Sequence, residues 1–433
     1  MRGLYTLLWY LALPWLPLRL LWRGRREPGY REHIGERYGR NKGTVPRPVL
    51  WVHAVSLGET RAAAPLVERL RRAHPDATVL MTHMTATGRA AGRALYGESV
   101  LQAWLPYDVP FAVGAFLAHF KPCAGLIMET ELWPNLVALA RDAKVPLYLV
   151  NARMSARSAR GYARVSALSR PMLAALSGVA AQTEADATRL AALGAPAATV
   201  TGNLKFDASG PGTGEALGRE FRARFGATRP VWVAASTRDG EEAMILDALA
   251  PRRLPPGALT VIVPRHPQRF AAVADLLRHR GIPFVRRSDN TPVTADIEIV
   301  LGDSMGEMPG YFAAADVAFV GGSLLPLGGQ NLIEPISMGR PTLVGPYMFN
   351  FAEAAEKALA AGAAIEVADA RALVTEVAAL FDDDERLRAM RGAALAFHAA
   401  HRGAADRLWT WLAPRIAAAV EGRRIPGSGN VNP

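Results

Sequence analysis

Gly321-Gly322-Ser323-Leu324-Leu325-Pro326-Leu327-Gly328-Gly329-Gln330-Asn331-Leu332-Ile333-Glu334-Pro335 decides how this chain is read. Ahead of it runs Ala315-Asp316-Val317-Ala318-Phe319-Val320, a short apolar run of the kind that forms a buried parallel strand. Behind it a helical pattern extends from about Asn331 to Met338. The stretch therefore reads strand, glycine-rich loop, helix. Such a turn aims bare backbone N–H groups and a positive helix end at one spot, where a phosphate or carboxylate sits well. Glycines also make tight βα turns that bind nothing. The polar set Gln330, Asn331 and Glu334 favours a ligand, because Asn331 and Glu334 are three apart and share a helix face beside the loop.

The same alternation extends in both directions. Val231 to Ala235, Leu259 to Val263, Ile297 to Leu301 and Pro341 to Val344 are apolar runs separated by helical patterns. Upstream, similar runs fall at Val49 to Val55, Thr78 to Met81, Gln102 to Leu105, Leu126 to Met128, Leu147 to Val150 and Val179 to Ala181. That is the pattern of parallel sheets covered on both faces. With 433 residues the chain exceeds one ordinary core. The expectation is an α/β protein of two Rossmann-like domains facing a cleft. A Gly-, Pro- and Ser-rich stretch near the middle sets the boundary. The division is then 1–26 as membrane anchor and basic flank, 27–207 as the first domain, 208–228 as linker, 229–424 as the second domain and 425–433 as tail. A long, interrupted last helix is expected from about Asp384 to Val420.

In parallel sheets ligands gather at the carboxyl ends of strands. Ser56-Leu57-Gly58-Glu59-Thr60 follows the first run. Glu59 is either an ordinary first-turn acid or a carboxylate able to take a proton from an acceptor hydroxyl. Glu129-Thr130-Glu131-Leu132-Trp133-Pro134-Asn135 follows the fourth run, and two carboxylates with a tryptophan exceed what packing asks of a strand end. Asn151-Ala152-Arg153 follows the fifth. Lys205, in Asn203-Leu204-Lys205-Phe206-Asp207, is a solvated loop lysine or faces an anion. In the second half the equivalent loops are Pro264-Arg265-His266-Pro267 and Gly302-Asp303-Ser304-Met305-Gly306-Glu307-Met308.

The formal charge of +11 implies an anionic partner, but no nucleic-acid motif is present. The single cysteine, Cys123, excludes an intramolecular disulfide. No His, Cys or Asp cluster has metal-ligand spacing, and the acidic run Asp382 to Glu385 reads as a solvated loop before a helix. Leu4 to Leu18 is almost wholly apolar, Arg19 interrupts it, and Arg23, Arg25, Arg26 and Arg31 follow Trp22. A membrane anchor, spanning or lying in the interface, fits better than a cleaved signal or a buried helix. The arginines then belong on the cytoplasmic side.

Together, Ser56 to Thr60, Met128 to Asn135, Asn151-Ala152-Arg153, Leu204 to Asp207, Pro264 to Pro267 and the opening stretch resemble the 3-deoxy-D-manno-octulosonic acid (Kdo) transferases of lipopolysaccharide synthesis. The likeness runs nearly end to end. It implies a metal-independent, inverting glycosyltransferase of GT-B architecture that needs no cofactor. The implied donor is CMP-Kdo and the implied acceptor lipid IVA, at the cytoplasmic face of the bacterial inner membrane on anionic lipid. By the same resemblance Glu59 is the general base. Glu129, or its neighbour Glu131, and Lys205 stabilise the transition state. Pro264, Arg265, Met305, Gly306, Glu307, Asn331, Leu332, Ile333 and Glu334 hold CMP. Two other readings stand beside this one: a membrane-associated GT-B enzyme using a UDP-sugar, and a non-catalytic basic membrane-binding protein.

Overall fold

The computed structural model describes residues 1–207, 214–249 and 254–422. Part of the expected linker, 208–213, and the expected tail, 425–433, lie outside them. The chain divides into two compact units, 1–208 together with 402–433, and 209–401.

The first unit holds seven parallel strands: β1 (Val49–His53), β2 (Thr78–His83), β3 (Leu101–Trp104), β4 (Ala124–Met128), β5 (Leu147–Ala152), β6 (Gly178–Ala181) and β7 (Ala198–Val200). Their order is β3-β2-β1-β4-β5-β6-β7. The register sets Val52 beside Met81 on one side and Leu126 on the other. Side chains alternate across the pleat, so Leu50 and Val52 enter one core while Val49 and Trp51 enter another. Both faces are covered, which is why β1 is apolar at nearly every position.

The first of these cores is closed by the helix Ala404–Glu421, which contributes Leu408, Leu412, Ile416 and Val420 at intervals of four. This corrects the expected extent of the second domain. The chain leaves the second unit after His401 and returns to the first. The interruption in the long terminal helix is real: Asp384–His401 ends and a new helix starts after Gly403, which has φ +83°.

The second unit repeats the plan with β8 (Val231–Thr237), β9 (Leu259–Pro264), β10 (Phe284–Arg286), β11 (Ile299–Leu301), β12 (Val317–Val320), β13 (Thr342–Val344) and β14 (Ala364–Glu366). The order is β10-β11-β9-β8-β12-β13-β14, again all parallel. The helix Glu215–Phe225, from the expected linker region, belongs to this unit's core through Phe221 and Phe225.

At the N-terminus a helix spans Arg2–Arg25, long and apolar enough by length and composition to cross a membrane. A 3-10 turn at Leu13–Trp15 accommodates Pro14. One face rests on the first unit. Leu16 and Leu20 pack with Tyr30, Tyr107 and Val109, with Trp9 and Leu13 alongside. Thr6 donates to Asn135 Oδ1 at 3.0 Å. The other face, Leu4, Leu7, Leu8, Leu11, Trp15, Leu18 and Trp22, is exposed.

Candidate active site

In the first unit the candidates meet at the carboxyl ends of β1, β4 and β5. Ser56 caps the helix Leu57–Ala62, accepting from Glu59 N–H. Glu59 turns back: its Oε2 accepts from Val55 N–H at 2.9 Å and its Oε1 from Ser56 Oγ at 2.9 Å. This is a variant of the capping box, with the carboxylate one residue further back than usual. Glu59 is only 8% exposed. Burial, reinforced by the charges of Glu129 and then Glu131, pushes its carboxyl from the ordinary 4.5 up to about 7, against the pull of Val55 N–H and the Ser56 hydroxyl. Such a carboxyl exchanges its proton near neutrality, as a general base must.

Glu129 follows β4 with φ +55°, a left-handed backbone that is uncommon for glutamate. Its N–H still donates to Val150 O at 3.0 Å, so the sheet holds the residue in that state. Lys205 Nζ lies 2.9 Å from Glu129 Oε1, an ion pair without hydrogen-bond alignment. The carboxyl of Glu131 is pushed up by burial and by Glu129. Glu129, not Glu131, thus has the lysine.

Lys205 owes its position to two asparagines. Asn151, at the end of β5 with φ +51°, accepts Leu204 N–H at 3.0 Å, and Asn203 Oδ1 accepts Lys205 N–H at 3.0 Å. The sequence pointed to Arg153 in this segment and missed Asn151 as the residue that seats the lysine loop. Asn followed by a small residue at a strand end was the available signal, since Asn tolerates the left-handed region.

In the second unit the glycine-rich loop differs from expectation. Glu241 is fully buried, and its Oε2 accepts from Gly322 N–H at 2.6 Å and Arg238 N–H at 2.9 Å. Its Oε1 accepts from Ser323 and Leu324 N–H, each at 3.0 Å. The loop does make an anion nest, and the protein's own carboxylate fills it. The helix behind it is short, Ile333–Ser337, and Asn331 Oδ1 already accepts Ile333 N–H at 3.1 Å. The expected bare N–H groups at 322–324 and 333 are therefore occupied. Gly321 is needed for close approach: a Cβ there would meet Ser236 O at 2.6 Å and Thr237 Cα at 2.7 Å.

Of the remaining candidates in this unit, Arg265 reaches the loop from another strand end, whereas no contact joins Met305, Gly306 or Glu307 to it among the described residues. Arg265 Nε donates to Gln330 Oε1 at 3.2 Å, linking the end of β9 to the glycine-rich loop. Asn331 Nδ2 donates to Glu334 Oε1 at 3.1 Å. Leu332 and Ile333 are buried beneath, so any contact of theirs with a ligand is through backbone. Met305 is exposed and Gly306 has φ +82°, while Glu307 pairs with Arg287 at 3.0 Å. Pro264 closes β9. Among the described residues no group of three or more His, Cys, Asp or Glu could hold a metal ion.

Two seven-stranded parallel sheets with polar loops at their strand ends define a GT-B-type protein. A UDP-GlcNAc 2-epimerase from Neisseria meningitidis shares the fold, with a TM-score of 0.57 at 17% identity over 84% of this chain and 99% of that one. Residues 32–208 match the family described as 3-deoxy-D-manno-octulosonic-acid transferase (kdotransferase). The 3-deoxy-D-manno-octulosonic acid transferase of Bordetella pertussis is 48% identical over 95% of this chain and 99% of its own length. That of Haemophilus influenzae is 36% identical over 96% and 99%. The chain belongs to the Kdo transferase family of glycosyltransferases.

Proposed function

We propose that the enzyme transfers Kdo from CMP-Kdo to lipid IVA in a single inverting displacement. The acceptor hydroxyl oxygen attacks the anomeric carbon, the bond from that carbon to the phosphate oxygen breaks, and CMP leaves with the electron pair. Glu59 takes the hydroxyl proton. The observation that carries this reading is the Glu59 carboxyl, buried at a strand end with its proton affinity raised to about 7. Glu129 and Lys205 act as a pair, the lysine meeting developing negative charge and the glutamate holding the lysine.

CMP is held in the second unit by Pro264, Arg265, Met305, Gly306, Glu307 and Asn331 to Glu334. Arg265 faces the phosphate, and Glu334, an acceptor when ionised, takes the ribose hydroxyls. Arginine and lysine meet the leaving charge without a metal ion in this scheme. The Arg2–Arg25 helix lies in the membrane interface with its exposed apolar face in lipid and the following arginines on anionic headgroups of the cytoplasmic leaflet. Its packed face supports that orientation over a spanning one.

The test is incubation with CMP-Kdo and lipid IVA, with mass spectrometry of the lipid. A Kdo-bearing product that disappears in Glu59→Ala, with CMP binding retained, is expected. Transfer from a UDP-sugar but not from CMP-Kdo refutes the donor assignment.

A further inference from the structure

The helix Ala156–Arg164 packs by one face only. Ala159 and Tyr162 join the core beneath it, and none of its residues is fully buried. Arg157, Arg160 and Arg164 are exposed, and at 3.6 residues per turn they fall within about 60° of one another, roughly opposite Ala159 and Tyr162. Arg153 stands four residues before Arg157, half-buried, just ahead of the helix. A solvated helix face ordinarily mixes both signs of charge. From Arg153 to Arg164 there is no acidic residue, and among the described residues none of the four arginines has an ion-pair partner.

The position of this stripe matters as much as its charge. The helix follows β5, the strand next to β4, whose end carries Glu129. Burial, and after it the charge of Glu131, pushes the Tyr162 hydroxyl up, so this side of the helix senses the loop. Trp133 of the same loop meets Trp9 of the N-terminal helix with ring centroids 6.1 Å apart. The Glu129–Asn135 loop thus has an apolar helix on one side and, on the other, the packed side of Ala156–Arg164, whose outer face carries the unpaired arginines.

We infer that Arg157, Arg160 and Arg164, with Arg153, bind the phosphate groups on the sugar headgroup of the acceptor glycolipid. The inference rests on the acceptor reading above and goes beyond it by assigning where the headgroup is read. Guanidinium groups suit the task, since each offers a planar fork of donors to phosphate oxygens. An amphiphile with an anionic head and acyl tails matches a loop that has an apolar helix on one side and, on the other, a helix whose outer face carries these arginines.

The test compares wild type with the triple variant Arg157→Gln, Arg160→Gln, Arg164→Gln, whose exposed positions leave the core intact. Initial rates are measured in neutral detergent micelles with lipid IVA and with the same lipid stripped of its phosphates. The expected result is an acceptor KM raised about tenfold or more for lipid IVA, with the donor KM unchanged and no difference between the proteins on the stripped lipid. An unchanged acceptor KM overturns the inference. So does a variant that keeps its acceptor KM but loses binding to phosphatidylglycerol vesicles, because the stripe then reads the bilayer. A wild-type enzyme that transfers Kdo to neither lipid overturns the acceptor reading, and this inference with it.

Discussion

The raised proton affinity of Glu59 sets a pH dependence that separates a catalytic carboxylate from a merely capping one. With its carboxyl at about 7, half of the enzyme carries an ionised Glu59 at neutrality. About a tenth does so one pH unit lower and about a hundredth two units lower. If Glu59 is the base, kcat/KM for the acceptor rises about tenfold per pH unit up to about 7 and then levels. A carboxylate at the ordinary 4.5 would give a flat profile above about pH 5.5. Initial rates from pH 5 to 8 with saturating donor distinguish the two, and a flat profile over that range refutes the reasoning. Glu129→Gln removes a like charge, so it should move the acid limb to lower pH. The same shift has a sign for stability. A carboxyl raised in the folded state is stable as the acid, and that stability is fully present below pH 4.5 and lost as pH rises through about 7. Glu59→Gln therefore gains stability over wild type at pH 8, by roughly 3 kcal/mol at most, and gains little at pH 4.

Glu241→Gln replaces two of the acceptor positions facing backbone N–H groups with a donor, so the second unit should lose about 3 kcal/mol, seen as an earlier denaturant midpoint in a fluorescence titration. Gly321→Ala drives a Cβ into the backbone of Ser236 and Thr237 and should cost about 1–3 kcal/mol and weaken CMP binding by calorimetry. Leu11→Ser with Trp15→Ser, on the exposed face of the N-terminal helix, should each lower vesicle partitioning by roughly 2 kcal/mol in a flotation assay, with the melting temperature unchanged.

Central strands were legible because both their faces are buried and their residues are nearly all apolar, as in Val49–His53 and Leu259–Pro264. The strands absent from the sequence reading are Ala198–Val200, Phe284–Arg286 and Ala364–Glu366. Each is three residues long and at a sheet edge, where one neighbour and partial exposure leave no apolar run to see. The segment after the first strand forms two helices, Leu57–Ala62 and Ala64–Ala73, because Pro65 starts the second. At the site, the loops were legible as polar segments after strands. Their internal partners were not. Nothing local marks Glu241 as the occupant of a nest formed by residues 322–324, because that contact joins positions some eighty residues apart. Asn151 holding Leu204 is hidden for the same reason.

The return of the helix Ala404–Glu421 to the first unit has a consequence for how the protein is made. The second unit is one uninterrupted piece of chain, whereas the first is built from both ends of the described sequence. During synthesis the second unit can complete its core while the first still lacks Leu408, Leu412, Ile416 and Val420. The side of the first sheet that carries Leu50, Val52 and Leu126 is only partly covered, by Leu66, Val67 and Leu70 of the helix Ala64–Ala73, until Leu408, Leu412, Ile416 and Val420 leave the ribosome. That interval is when an apolar surface is open to chaperones or to misassembly, and it closes only with the last helix.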